Sequence, residues 1–136
     1  MRRILLVDTH ISNNELSKVI VALGYDVRVS QKGVEALKTV KNSHPHVIIL
    51  NTTILDEADL QMCAQIRQLC QTPILVLSAD GDTGKAINAL TSGADVVLPK
   101  PVSNRILVAH LETLSRRAQA ELDAAAQDTS FQPLVY

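Results

Sequence analysis

Four polar side chains of different chemistry each follow an apolar run. Ile4-Leu5-Leu6-Val7 ends in Asp8, Val47-Ile48-Ile49-Leu50 in Asn51, Ile74-Leu75-Val76-Leu77 in Ser78, and Val96-Val97-Leu98-Pro99 in Lys100. The run from His46 to Asn51 carries β-branched residues on both parities, the pattern of a strand buried on both faces at the centre of a parallel sheet. The carboxyl ends of such strands border the crevice in which open α/β sheets bind ligands. An acid, a carboxamide, a hydroxyl and an ammonium are therefore expected at one edge. The Asn51 carboxamide is neutral, with its nitrogen lone pair delocalised, so it is no nucleophile. Lys100 needs a partner, and Asp8 is the expected one, with the Asn51 oxygen accepting a hydrogen bond.

The elements that must position these residues follow from periodicity. Arg3 to Val7 reads as the first strand. Leu16, Ile20 and Leu23 recur at helical spacing from Asn13 or Asn14 onward, and Gly24 is a suitable stop. Tyr25 to Ser30 alternates as a strand, and a helix from Val34 to Lys41 precedes the central run. Beyond Asn51, the acids Asp56, Glu57 and Asp59 suit a helix N-terminus, and the helix from Ala58 to Leu69 sets Leu60, Cys63, Ile66 and, less squarely, Leu69 on one stripe. A short helix, Lys85 to Thr91, stops at Gly93 before the fifth strand. From Ser103 a long helix reaches Ala120 or beyond, with Ile106, Leu107, His110, Leu111 and Leu114 expected to face the sheet. Strands alternating with helices in this way predict a (βα)5 doubly wound parallel sheet of order 2-1-3-4-5, a flavodoxin-like α/β fold.

A chain of 136 residues with 46% hydrophobic content is sufficient for one domain with a real core, and 2% aromatic content leaves its packing to aliphatic side chains. Residues 1–118 are assigned to that domain and 119–136 to a helix tail and linker. The apolar return at Phe131 to Tyr136 reads as a strand belonging to a further domain. A net charge of −1 offers no basic field for nucleic acid, so the partners of this segment are sought among proteins. The chain holds no apolar run long enough to span a membrane, and Met1-Arg2-Arg3 leads straight into a strand, so a cytoplasmic location and no membrane partner are expected.

Other groupings carry less. Gly81-Asp82-Thr83-Gly84-Lys85 is too short for a phosphate loop, and no Ser or Thr follows the Lys. His44 and His46 flank Pro45 with no further ligand near them. Cys63 and Cys70 lie roughly 10 Å apart along one helix at 1.5 Å per residue, too far to bridge within it, and are read as reduced thiols. Asp56 and Glu57 stand too far past the central strand to join the polar edge. Arg116-Arg117 reads as a solvated helix end favoured by the dipole.

Taken in order and spacing, Leu5-Leu6-Val7-Asp8, Val47-Ile48-Ile49-Leu50 with its following polar residue, Leu77-Ser78-Ala79, Gly93-Ala94-Asp95 and Lys100-Pro101 resemble the CheY-like receiver domain of two-component response regulators. The match spans Arg2 to Arg117. The resemblance implies that position 51 is where the family carries a phosphate-accepting aspartate, that Asp8 and the next residue correspond to an Mg²⁺-binding acid pair, and that Ser78 and Lys100 match the residues that bind phosphoryl oxygens. It also implies a cis Lys100-Pro101 peptide and a switch residue at position 97.

The chain departs from that pattern at three places: Asn51 replaces the acceptor, Thr9 the second acid, and Val97 the aromatic switch. Without an anionic nucleophile no acyl phosphate forms at a useful rate, and Val97 has neither a ring to swing nor a soft χ1. The expectation is a degenerate phospho-site of Asp8, Thr9, Asn51, Ser78 and Lys100 with no metal, no cofactor and no enzymatic activity. The long last helix, its Arg116-Arg117 end and the loose linker resemble the OmpR/PhoB-type transcriptional regulators, which implies a homodimer through helix four, strand five and helix five and a C-terminal DNA-binding domain. The alternatives are a stand-alone adaptor receiver, a phospho-receiver with a non-standard acceptor, and a flavodoxin-like small-molecule binder, for which no cofactor cradle is visible.

Overall fold

The computed structural model describes residues 2–8 and 15–126. The loop after the first strand, with Thr9, and the apolar return at 131–136 lie outside the described residues. Ten elements alternate: β1 (Arg3–Val7), α1 (Glu15–Ala22), β2 (Asp26–Ser30), α2 (Gly33–Ser43), β3 (Val47–Thr52), α3 (Glu57–Leu69), β4 (Ile74–Ser78), α4 (Thr83–Ser92), β5 (Val96–Pro99) and α5 (Asn104–Ala126). The five strands form one parallel sheet in the order β2-β1-β3-β4-β5. That is the doubly wound order predicted from the pattern of runs.

Each central strand feeds two cores because its side chains alternate between faces. Leu5, Val7, Ile48, Leu50, Ile74 and Val76 pack against α2, α3 and α4 through residues such as Ala36, Val40, Cys63, Ile66 and Ala89. Ile4, Leu6, Val47, Ile49, Leu75 and Leu77 pack on the other face against Ile20 of α1 and Leu107, Leu111 and Leu114 of α5. With both faces covered, the strands carry the continuous apolar runs of a buried parallel sheet.

Several boundaries and faces differ from expectation. β3 continues through Thr52, which pairs with Ser78, so Asn51 lies one residue inside the strand and pairs with Leu77. Ile106 is 51% exposed rather than turned to the sheet, and Leu69 is 42% exposed. In each case the stripe is narrower than the apolar residues available to it. Met62 and Asp59 instead join the buried face of α3. α5 runs without a break past residue 118 to Ala126. Gly93 has φ +132, and a Cβ there would stand 3.2 Å from the Cys63 carbonyl oxygen, so both conformation and space demand glycine before β5.

Candidate functional site

The carboxyl edge of the sheet gathers the predicted residues by register. Asp8 extends β1 by one step, its N–H donating to Ser30 O at 2.8 Å. Asn51 lies on the neighbouring β3, Ser78 ends β4, and the Lys100 N–H donates to Ser78 O at 2.9 Å, carrying the β4–β5 ladder into the site. Asp8, Asn51 and Ser78 are all buried. The Lys100-Pro101 peptide is cis, as the resemblance implied.

Among the described contacts, Lys100 and Asn51 meet directly at this edge. The Lys100 ammonium donates to Asn51 Oδ1 at 2.8 Å. Burial pulls the Lys100 pKa below its ordinary value, while the Asp8 carboxylate attracts the ammonium and opposes that shift. The amide oxygen thus receives the positive end of a side chain that the sheet edge partly strips of water. Ser78 is engaged elsewhere: its hydroxyl accepts from the Asp80 N–H at 3.0 Å and sits 3.5 Å from Thr53 O. It ties the loops after β3 and β4 together and forms no described hydrogen bond to Asn51 or Lys100. Val97 is half-buried against the α2-α3-α4 core.

A divalent cation at this edge would require hard, preferably anionic oxygens. Asn51 Oδ1 already accepts from the Lys100 ammonium, so a cation bound to the same oxygen would compete with a like charge for it. Asp59 is buried too, but its carboxylate is committed to the start of α3. Among the described residues no group of three or more His, Cys, Asp or Glu side chains is arranged to hold a metal ion. Asp8 is the carboxylate that the described strand ends bring to this edge, and a single acid is a poor match for Mg²⁺.

Two clusters were missed in the sequence. At the first, Asp56 and Asp59 cap α3 reciprocally: Asp59 N–H donates to Asp56 Oδ1 at 2.9 Å and Asp56 N–H to Asp59 Oδ2 at 3.1 Å. The fully buried Thr52 hydroxyl donates to Ile54 O at 3.0 Å and lies 3.3 Å from Asp59 Oδ2, fixing α3 to the end of β3 beside Asn51. The acid-x-x-acid spacing carried this signal, although it read there only as a favourable charge for a helix N-terminus. At the second cluster, Asp95 accepts from Arg67, from Arg117 and from the Ile74 N–H. Arg117 is therefore paired across to the start of β5, where a solvated helix end was expected.

Residues 4–112 match the sequence pattern of the response regulator receiver domain. The chain belongs to that family. The receiver is 34% identical over 134 residues to the response regulator MprA of Mycobacterium avium, with 97% of this chain and 59% of that protein covered. It is 31% identical over 119 residues to a transcriptional regulatory protein, the CpxR homolog of Haemophilus influenzae, covering 87% of this chain and 52% of that protein. It superimposes on a two-component response regulator from Clostridium difficile with a TM-score of 0.76 at 27% identity, covering 86% of this chain and 98% of that one. The receiver thus spans somewhat over half the length of these curated relatives. Among its described residues no helix is long and apolar enough to cross a membrane.

Proposed function

We propose that this receiver acts without phosphorylation, through protein contact, and that it controls the output of a longer regulator. The observation that carries the reading is the asparagine at the family's acceptor position, its oxygen held by Lys100 at 2.8 Å. An amide cannot take a phosphoryl group as a carboxylate does. The Lys100 ammonium, which in the family would meet phosphoryl oxygens, has a partner within the protein instead. Lys100 is held by Asn51 and attracted by the charge of Asp8, with Thr9 in place of the second acid and Val97 in place of the aromatic switch, so the domain holds one state.

Contact is proposed through α4, β5 and α5 of two copies. Ile87 and Leu90 on α4 and Ile106 on α5 are 55%, 45% and 51% exposed, an apolar grouping of the sort that marks an interface. The output is proposed to be a C-terminal DNA-binding domain, because the relatives are longer than this chain and one is a transcriptional regulatory protein. Intact-mass spectrometry after incubation with acetyl phosphate and Mg²⁺ tests the first part: no adduct is expected, and a stoichiometric phosphate adduct would refute it. Solution mass across a range of concentrations tests the second. Ile87→Glu with Ile106→Glu is expected to leave a monomer, and a species of unchanged mass would reject this interface.

A further inference from the structure

The face formed by α2 and α3 presents a surface whose lining includes none of Asp8, Asn51, Ser78 and Lys100 and no residue of α4, β5 or α5. Two adjoining hollows of about 330 and 370 Å³ run along it, sharing Val34, Leu37 and Gln65. They form one continuous groove. Val34 at one end is 66% exposed and Leu69 at the other 42% exposed, so apolar surface is presented along its length. α2 has 11 residues, about 16 Å at 1.5 Å per residue, which matches three turns of a helix laid alongside it.

The charge in this groove is one-sided. α3 contributes the neutral Gln61, Gln65 and Gln68, and α2 contributes Lys38 and Lys41, both exposed. The one acid that borders it, Asp59, is buried and committed to the α3 cap. A chain of net charge −1 therefore carries a locally positive apolar groove. A second copy docking by the same face would bring four lysines together, which argues against self-association here. Two lysines are too few to hold nucleic acid by phosphate contacts.

We infer that the α2–α3 groove docks an amphipathic helix of a protein partner, with apolar side chains seated on Val34, Leu37 and Leu69 and acidic residues facing Lys38 and Lys41. This is the helix-in-groove mode, in which anchors at i, i+3 or i+4, and i+7 fill the groove. The charge pair sets the direction in which the helix lies and rejects basic competitors. Because the groove shares no residue with the α4-β5-α5 surface, a dimer joined there keeps two such grooves open. The inference stands whether or not position 51 can be phosphorylated.

The test is a titration of the ¹⁵N-labelled chain with a synthetic helical peptide carrying leucines at that spacing and flanking glutamates. A companion peptide replaces the glutamates by lysines. Saturable amide shifts are expected at Val34, Leu37, Gln65 and Leu69, with affinity falling by about tenfold or more for Lys38→Glu/Lys41→Glu. The lysine peptide is expected to recover binding to that charge-reversed chain, and Ile87→Glu is expected to change nothing. Both lysines and Ile87 are exposed, so these substitutions leave the fold intact, which the unperturbed remainder of the spectrum reports. Shifts confined to Ile87, Leu90 and Ile106, equal binding of both peptides to both chains, or anionic vesicles binding where the peptide does not, would each overturn the inference.

Discussion

Lys100 Nζ and Asn51 Oδ1 stand 2.8 Å apart across the carboxyl edge of the sheet. On the phosphorylation-independent reading proposed above, this internal hydrogen bond stands where the family carries its phosphate acceptor, and it defines what reversion must undo. Asn51→Asp restores a nucleophile and sets a carboxylate beside the ammonium. Position 9 would still hold a threonine, so the metal site would still be short of an acid. Little phosphorylation by acetyl phosphate is expected for Asn51→Asp alone, and clearly more for Asn51→Asp with Thr9→Asp, both read by intact mass. Full and equal recovery in the single variant would contradict the metal argument.

In α5, the Ser115 hydroxyl is fully buried and has no hydrogen-bond partner among the described residues. An unsatisfied buried hydroxyl costs stability, and its removal leaves only a very small void. Ser115→Ala is expected to leave stability unchanged or raise it by about 1 kcal/mol. Urea denaturation checks this, and a loss of more than about 1 kcal/mol would show that the hydroxyl has a partner after all.

At the amino end of the sheet, His46 is almost fully buried and bonded through both ring nitrogens. Nδ1 accepts from the Arg3 N–H at 3.0 Å, so the proton sits on Nε2, which faces Gln119 Oε1 at 3.2 Å. Burial lowers its pKa from 6.5, opposed by the bond to Gln119 and aided by the positive charge of Arg3 and Arg2. The unfolded chain therefore takes up the proton first. The stabilisation is complete above about pH 6.5 and is lost as pH falls from there through the folded pKa. Protonation also removes the lone pair that the Arg3 N–H needs. His46→Asn keeps an acceptor near the Nδ1 position and does not titrate. Thermal melts from pH 7.5 to 5 are expected to fall less steeply for this variant than for the parent, and parallel profiles would exclude His46 as the source.

The sheet order was legible because four strands end in polar residues at one edge and a parallel sheet buries both faces, so runs such as Val47 to Leu50 needed no tertiary context. That the Asn51 oxygen accepts a hydrogen bond beside Lys100 was legible too, but Asp8 was the partner expected first, and the described hydrogen bond of the ammonium goes to Asn51 while Asp8 acts on it through charge. Ile106 was misplaced because apolar character does not reveal whether a residue at the margin of a stripe meets the sheet or a surface. Thr52 and Asp59 were missed because their burial comes from β3 continuing one residue further, a boundary that sequence patterns fix poorly. The role of Arg117 was hidden by distance in the chain, because only the closed fold brings the last helix over the start of β5.

Arg67 and Arg117 both bind Asp95, yet they differ in what else they hold. Arg67 donates to Gly93 O, Cys70 O, Thr72 O and Asp95 Oδ2, and its side chain is 25% exposed. It joins the end of α3, the approach to β4 and the turn before β5, three backbone segments that have no other common side chain among the described contacts. Among the described residues Arg117 makes one bond, to Asp95 Oδ1 at 2.8 Å, and its side chain is 51% exposed. An exposed ion pair of that kind contributes about 0–1 kcal/mol. Arg67→Ala leaves several partly buried carbonyls without a charged donor and is expected to cost about 2–3 kcal/mol. Chemical denaturation of the two single variants and the double distinguishes them. Because both arginines share Asp95, the double variant should fall short of or exceed the sum of the singles. Equal losses in the two single variants would mean that the Asp95 pairing, rather than the carbonyl contacts, is what holds these segments together.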